Sequence, residues 1–381
     1  MEESFIALDF GSSQIVAVLM TYDEETGTCR VRHATCRQCP AISACYILDF
    51  ERTVRTVADL LQEMSEYAKL TPTVVVGLRG EFLSFRRSNG THTLNAQQII
   101  QEKDVRAVLD EAYPKNVSED LEIVHVLPQL FILDGKEGVN PLGLTGNWLD
   151  VETFVSCALK GPFNNLNRVM AAVGYEDFEG VPMILALGEN LLKPEEKLAR
   201  TLLLDVGYQH CSAALYSKGI LETAWEIPFG TEKIIQEVAN TLQMDLQETK
   251  SLLKKYEYSE DEVVDDVLDE ASNNLIKKLH HEFTQSIGYI KHTPQQLVLT
   301  GGGVDIPLKN AAKSILNVRK ARVATHDNLI ADSEDLLLPK YTSALSLALY
   351  SQKHGGMQRD NSVHSKSTGL FGRVLSKLGL N

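Results

Sequence analysis

Short apolar runs separated by amphipathic stretches extend along most of the chain. The runs Phe5–Leu8, Ile15–Leu19 and Thr73–Gly77 have the length of buried strands, and a tight turn joins the first two. Before the third run, apolar residues follow helical spacing, with Asp49 upstream as an N-cap: Val54, Val57, Leu61, Met64 and Ala68. Strand, strand, helix and strand in this order predict an α/β fold.

A smaller unit interrupts this pattern. The spacing predicts a helix at Lys103–Ala112, two adjacent strands at Ile123–Leu127 and Gln129–Leu133, and a third strand at Val151–Ala158. The main pattern then resumes with a helix that ends at Gly174. We therefore expect a subdomain inserted into the first half of the chain.

The opening hairpin is repeated later in the chain. The segment Leu202–Gly207 again joins an apolar strand to Asp and Gly, and the strand Ser212–Tyr216 follows at once. After further helical stretches, the strand Gln296–Thr300 breaks into three glycines. The repeat predicts two similar lobes, each with an Asp-x-Gly turn after its first strand.

Two such hairpins followed by a strand and a triple glycine match the arrangement by which actin-fold ATPases hold a nucleotide between two lobes. Glycine turns let backbone N–H groups approach phosphates, and turn hydroxyls add donors. Each motif by itself is a common hairpin turn, so the prediction depends on the ordered set of three. The candidates for binding ATP and Mg²⁺ are Asp9, Gly11, Ser12, Ser13, Asp205, Gly207, Gly301, Gly302 and Gly303.

Charge and hydropathy exclude several classes of protein. The 381 residues include 37 Lys and Arg against 51 Asp and Glu, a net charge of −14, so no nucleic-acid partner is expected. No apolar run has the length of a transmembrane helix, and the acidic start lacks the features of a signal peptide. We expect a cytoplasmic protein whose six cysteines remain thiols.

Four of the cysteines lie close together in the sequence: Cys29, Cys36, Cys39 and Cys45. The C-x-x-C spacing of Cys36 and Cys39, with His33 nearby, is one that zinc ligands use. A second paired spacing is missing, and a free cysteine often serves as a small buried apolar residue. Zinc binding is therefore the less favoured interpretation.

Several segments closely resemble the FtsA family of actin-like bacterial cell-division proteins. They are His-Val-Leu-Pro-Gln at 125–129, Asp134-Gly135, Asn140-Pro141 and Leu-Thr-Gly-Gly-Gly at 299–303. The resemblance covers nearly the whole chain and implies a two-lobed actin-like fold with an inserted 1C subdomain. The implied units are subdomain 1A at 1–83 and 162–199, subdomain 1C at 84–161, subdomain 2A at 200–229 and 295–353 with the final core helix, subdomain 2B at 230–294, a flexible linker at 354–368 and a membrane-targeting helix at 369–381.

The departures from the family pattern concentrate at the nucleotide. Gln14 stands where the family has Lys or Arg, and Tyr208 and Gln209 stand where it has glycines. Lys250 and Leu253 replace a Glu and a Lys that contact the nucleoside in the family. We therefore expect an eroded ATP site and no enzymatic turnover beyond a slow ATPase.

The resemblance also implies partners and a location. The family links filaments of the tubulin-like FtsZ to the inner membrane at the division site, binds the FtsZ C-terminal peptide through subdomain 2B, self-assembles into filaments and contacts other divisome proteins. Lys277, Lys278 and Lys291 are the candidate peptide contacts here, although Asp265, Asp266, Asp269 and Glu270 make the preceding segment acidic. A PilM-like adaptor of pilus assembly and a sugar-kinase-like phosphotransferase are the alternatives.

The last segment of the sequence has the pattern of a membrane-surface helix. Leu370, Phe371, Val374, Leu375 and Leu378 fall on one face, and Arg373 and Lys377 fall on the other. A Gly- and Ser-containing stretch precedes the segment, as expected of a tether rather than of a docked core helix. The pattern predicts binding to anionic lipid.

We expect Leu375→Asp or Phe371→Asp to release the protein from anionic vesicles while leaving it folded. Burying each large apolar side chain contributes about 1.5–3 kcal/mol before the cost of ordering the helix, so one charge on this face removes a large share of the affinity. Vesicle sedimentation measures the effect, with Ser376→Asp on the polar face as the charge-matched control. Undiminished binding after deletion of residues 369–381 would contradict the prediction.

Overall fold

The computed structural model describes residues 2–12, 14–94, 98–257, 260–286, 294–304, 306–326 and 329–354. The strands are β1 (Glu2–Phe10), β2 (Gln14–Asp23), β3 (Thr28–Gln38), β4 (Ile42–Ser43), β5 (Tyr46–Ile47), β6 (Thr73–Leu78), β7 (Leu83–Thr93), β8 (Leu121–Leu133), β9 (Lys136–Glu137), β10 (Trp148–Leu159), β11 (Glu179–Pro182), β12 (Thr201–Val206), β13 (Cys211–Ser217), β14 (Ile220–Ile227), β15 (Gln296–Thr300), β16 (Lys320–Val323) and β17 (Ile330–Ala331). The helices are α1 (Phe50–Tyr67), α2 (Glu102–Ala112), α3 (Lys160–Ala172), α4 (Met183–Leu191), α5 (Pro194–Leu198), α6 (Glu232–Leu242), α7 (Leu246–Leu253), α8 (Glu262–Ser286), α9 (Ile306–Ile315) and α10 (Thr342–His354), with 3₁₀ turns at Glu334–Leu337 and Pro339–Tyr341.

The two predicted lobes are built on sheets of the same design. The first sheet has the order β11-β6-β1-β2-β3-β17, and the second has the order β14-β13-β12-β15-β16. In each sheet the first strand pairs antiparallel with the next strand of its hairpin and parallel with a later strand, β6 or β15. The internal repeat predicted from the sequence is therefore present in the topology.

Helix α1 begins where the sequence predicts. The carboxylate of Asp49 accepts a hydrogen bond from the backbone N–H of Arg52 at 3.1 Å, and Val57, Leu60 and Met64 are fully buried. An N-cap of this kind satisfies an amide that the helix itself leaves unpaired. Helix α1 thereby covers one face of the first sheet together with α3.

Helices α4 and α10 occupy the layer between the two sheets. Their apolar residues form one buried cluster with residues of both sheets, including Val18 from the first and Leu203 from the second. Since α10 also packs on β1, β2 and β6, the last helix of the described chain closes the first lobe. This shared apolar layer joins the lobes into one body.

The inserted unit is a sheet of order β7-β10-β8-β9 covered by α2. The sequence predicted two strands around Pro128, but β8 is continuous, because its register against β10 shifts between Glu152 and Thr153 and leaves Gln129 as an extra residue. A bulge of this kind accommodates a proline and turns the strand locally. The amide oxygen of Gln129 accepts a hydrogen bond from the backbone N–H of Leu221 in the second lobe at 2.8 Å.

Replacing Gly90 with Ala tests the packing of α2 on the inserted sheet. A Cβ at Gly90 would lie 2.2 Å from the carbonyl oxygen of Val108 in α2, so we expect Gly90→Ala to lower the free energy of unfolding by about 1–3 kcal/mol. Gly161→Ala in α3 is the control, because nothing lies within 4 Å of the added carbon. Urea unfolding measures both variants, and equal midpoints would contradict the packing described.

Candidate functional site

The two Asp-x-Gly hairpins face each other across the cleft between the lobes. Asp9 lies near the end of β1, opposite Gly77 of the parallel strand β6, and Asp205 lies near the end of β12, opposite Thr300 of β15. The turns close in the same way, because the N–H of Gly11 donates to the Gln14 carbonyl at 3.1 Å and that of Gly207 donates to the His210 carbonyl at 3.0 Å. Both aspartates are buried.

Arg79 lies between these two aspartates. One terminal nitrogen, Nη2, lies 3.1 Å from Asp9 Oδ2, and the other, Nη1, lies 3.3 Å from Asp205 Oδ2. Arg79 follows β6 directly and is only 8 % exposed. A single guanidinium therefore bridges the first strand of each lobe.

Burial and charge have opposite effects on the pKa values of the triad formed by Asp9, Arg79 and Asp205. Burial raises the pKa of the Asp9 and Asp205 carboxyl groups, and the positive charge of Arg79 opposes that rise. Burial likewise works against the charge on Arg79, but the two carboxylates outweigh it, so the pKa of Arg79 lies above its usual value. Arg79 is therefore a permanent cation in the cleft.

Gln209 connects the two hairpin turns. Its backbone N–H donates to Ser12 Oγ at 3.1 Å, and its side-chain oxygen accepts hydrogen bonds from Ser43 Oγ at 3.2 Å and from the Ala44 N–H at 3.1 Å. The amide nitrogen of the same side chain donates to Glu232. The backbone and the side chain of Gln209 thus contact the first lobe directly.

Two further departures from the family pattern contact each other. Lys250 Nζ lies 4.7 Å from the centre of the Tyr208 ring, which is a cation–π arrangement. Leu253 packs instead against the core of the second lobe. Neither Lys250 nor Leu253 therefore reaches the triad around Arg79.

A third buried carboxylate, that of Glu226, links the lobes beside Arg79. Glu226 accepts hydrogen bonds from the backbone N–H of Gly80 at 3.1 Å and from Ser212 Oγ at 2.8 Å, and it also contacts His210 Nε2. Gly80 belongs to the first lobe, whereas Glu226, Ser212 and His210 belong to the second. Arg79 and its neighbour Gly80 are therefore both held by the opposite lobe.

The triple glycine packs against the end of β12. Gly301 has a φ of +104°, and a Cβ there would lie 2.3 Å from the Val206 carbonyl oxygen, so this position requires glycine. The Gly303 N–H donates to the same carbonyl at 3.1 Å, while nothing lies within 4 Å of the Cβ position at Gly302. Among these three glycines, Gly302 is the one at which an added side chain would meet free space.

The structure brings together, at one cleft, most of the residues that the sequence singled out there. They are Asp9, Gly11, Ser12, Asp205, Gly207, Gly301, Gly302 and Gly303, whereas Ser13 lies outside the described residues. Sequence reasoning missed Arg79, although a charged residue directly after the apolar run Thr73–Leu78 was a usable signal. It marks the carboxyl end of a strand, where ligand-binding residues of α/β sheets gather.

The cysteine cluster has no metal-binding geometry within the described ranges. No group of three or more His, Cys, Asp or Glu side chains there is arranged to hold a metal ion. His33 stacks on Tyr67 with ring centres 3.9 Å apart and pairs with Glu63 at 2.8 Å. Cys39 is fully buried among apolar side chains of the first lobe.

The candidate partner and membrane residues divide between described and undescribed parts of the chain. Lys277 and Lys278 are exposed on α8, whose opposite face packs into the second lobe through Leu275, Leu279 and Phe283. Lys291 and the tail residues Leu370, Phe371, Arg373, Val374, Leu375, Lys377 and Leu378 lie outside the described residues. In the ranges that are described, no helix has the length and hydropathy needed to cross a membrane.

Comparison with known structures shows the fold. The PilM–PilN type IV pilus biogenesis complex matches with a TM-score of 0.64 and 17% identity, over 91% of this chain and 98% of that one. MreB5 of Spiroplasma citri bound to ADP matches with a TM-score of 0.51 and 11% identity, over 92% of this chain and 96% of that one. These likenesses confirm the predicted actin-like α/β fold.

Comparison of the sequence with those of known proteins identifies several that are similar to it. Residues 80–156 match the model of the SHS2 domain inserted in FtsA. The cell division protein FtsA of Bacillus subtilis is 26% identical over 82% of this chain and 76% of its own length, and that of Enterococcus hirae is 24% identical over 91% and 83%. FtsA of Escherichia coli is 21% identical over 87% of this chain and 86% of its own length.

These matches agree with the cleft and the topology described above. The SHS2 match coincides with the sheet formed by β7, β8, β9 and β10, which is the predicted 1C subdomain. Over most of its length the chain is similar to the cell division protein FtsA, and it has an actin-like fold with an inserted SHS2 subdomain.

Proposed function

We propose that this protein is an adaptor of bacterial cell division that connects FtsZ filaments to the inner membrane through binding and assembly. The observation that carries the proposal is the SHS2 subdomain, which lies within an actin-like fold as an insertion of the kind found in FtsA. The relatives at 20–26% identity over most of the chain are cell division proteins by name. We accordingly assign the protein to the division site.

The proposed membrane contact is the amphipathic segment 369–381. The chain as a whole carries a net charge of −14, which repels an anionic membrane surface. Arg373 and Lys377 provide local positive charge beside the apolar face. One short helix binds weakly and reversibly, so assembly into filaments would strengthen attachment through multivalency.

The proposed FtsZ contact is the exposed side of α8. Lys277 and Lys278 are adjacent and exposed, and a cationic pair of this kind suits an acidic peptide. The first turns of the same helix are acidic, with Asp265 and Asp269 among their residues. We therefore expect the peptide to lie toward the carboxyl-terminal half of α8.

The cleft supports an adaptor rather than an ATPase. Phosphoryl transfer on this type of fold needs a metal ion and donors aimed at the phosphates. Asp9 and Asp205 are already paired with the guanidinium of Arg79, and a divalent cation could reach them only by displacing it. The residues present therefore do not fit a metal-bound nucleotide.

The hairpin turns support the same conclusion. The Gln209 N–H and the Ser12 hydroxyl, which lie where phosphate donors are expected, bond to each other at 3.1 Å. The Gln209 side chain also uses the hydroxyl of Ser43 and the N–H of Ala44 as its own hydrogen-bond donors, so these two groups are not free to meet a phosphate. We infer that the chain neither holds Mg·ATP tightly nor turns it over.

Calorimetric titration with Mg·ATP tests this inference. We expect a Kd no tighter than about 1 mM, which corresponds to a binding free energy of about −4 kcal/mol or weaker. Asp205→Asn is the control, since it removes one carboxylate that a metal would need. Micromolar binding that Asp205→Asn abolishes would contradict the inference.

Sedimentation of FtsZ with anionic vesicles tests the adaptor itself. We expect FtsZ from the same organism to pellet only when this protein is present, and we expect added salt to weaken that recruitment because charge pairs contribute to it. Lys278→Glu should reduce the recruited FtsZ without changing vesicle binding. Lys69→Glu, an exposed lysine in the first lobe, is the charge-matched control. Equal recruitment by both variants would exclude the α8 lysines as the contact.

A further inference from the structure

Arg79 is the centre of the contacts that join the lobes at the cleft. It bridges Asp9 and Asp205 with separate nitrogens, at 3.1 and 3.3 Å. The carboxylates are 7 % and 2 % exposed as residues. Because buried charges are tolerated only when paired, each aspartate requires this cation in the closed arrangement.

Each aspartate also keeps one oxygen that Arg79 does not use. Asp9 Oδ1 and Asp205 Oδ1 are buried and have no hydrogen-bond partner within the described part of the chain. Carboxylate oxygens are the ligands that Mg²⁺ and Mn²⁺ prefer. Two opposed aspartates with unused oxygens are the donor set of a divalent cation site that a guanidinium has filled.

We propose that Arg79 is a built-in replacement for the metal ion, which holds the two lobes closed without nucleotide and masks a divalent cation site formed by Asp9 and Asp205. The inference rests on the proposed absence of nucleotide turnover in the cleft. The proposal also gives the cleft a structural role. The fixed side chain of Arg79 holds the lobes together, as a bound ligand does in a nucleotide-dependent protein.

The contacts next to Arg79 also hold the two lobes together. Gln209 joins Ser12 and Ala44 of the first lobe to the second, and Glu226 of the second lobe receives the N–H of Gly80. Each of these bonds is made by protein groups alone. The closed arrangement therefore depends on residues that are always present, and adding a nucleotide changes nothing in it.

Hydrogen exchange of the purified protein tests the closure. The N–H groups of Ala44 and Gly80 donate across the cleft, so their exchange rates report separation of the lobes. In the wild type we expect slow exchange at both amides and no change on addition of Mg·ATP. Arg79→Met leaves two buried carboxylates without their cation, so we expect exchange to be faster by about a hundredfold or more.

Two variants serve as controls for this measurement. Arg30→Met makes the same chemical change at an exposed ion pair with Asp332, and it should exchange like the wild type at both amides. Arg79→Lys keeps a positive charge but cannot donate to both carboxylates in the same fork, so it should fall between the wild type and Arg79→Met. Wild-type exchange in Arg79→Met and Arg79→Lys would overturn the proposal.

Binding of Mn²⁺ alone tests the masked site. We expect Mn²⁺ to raise the melting temperature of Arg79→Ala but not that of the wild type or of the double variant Arg79→Ala/Asp205→Asn. A response in the wild type, or none in folded Arg79→Ala, would overturn the masked site. The Mn²⁺ measurements and the comparison of exchange rates among the Arg79 variants contain no ATP, FtsZ or lipid, so a failed adaptor assay or an unexpected ATP titration leaves them interpretable on their own.

Discussion

The pairing of one buried guanidinium with two buried carboxylates constrains the whole cleft. Asp9, Arg79 and Asp205 stand at the ends of three different strands, and the ion pairs form only when those strands end at the same level. A guanidinium cannot release its proton at any physiological pH. Because all three groups are buried, their pairing requires the ends of the three strands to meet at one cleft.

The apolar layer behind the cleft connects these ion pairs to the rest of the molecule. Helices α4 and α10 pack between the two sheets, and Tyr350 of α10 lies 2.9 Å from His125 Nε2 in the inserted subdomain. Gln129 joins the same insertion to the second lobe. The cleft, the insertion and the last helix of the described chain are thus parts of one packed unit.

Much of the fold could be predicted because it is encoded locally. Helix α1 follows from its apolar stripe and the Asp49 cap, and the two hairpins follow from apolar runs that end in Asp-x-Gly. Prediction failed where local and tertiary preferences differ. Pro128 indicated a break, but a bulge absorbs it within β8, and β7 went unrecognised because this edge strand is mostly polar, as in its Arg86 and Arg87.

The sequence by itself determined the two Asp-x-Gly turns and the triple glycine, and it places Tyr208 and Gln209 directly after the second turn. Only the tertiary structure decided what fills the cleft. Arg79 is far from both of its partners along the chain, and its place directly after an apolar run marks the end of a strand without indicating which carboxylates it meets. Its partners are fixed by the register of β1 with β6 and by the packing of one lobe on the other, and these long-range pairings are not encoded in the periodicity of any single segment.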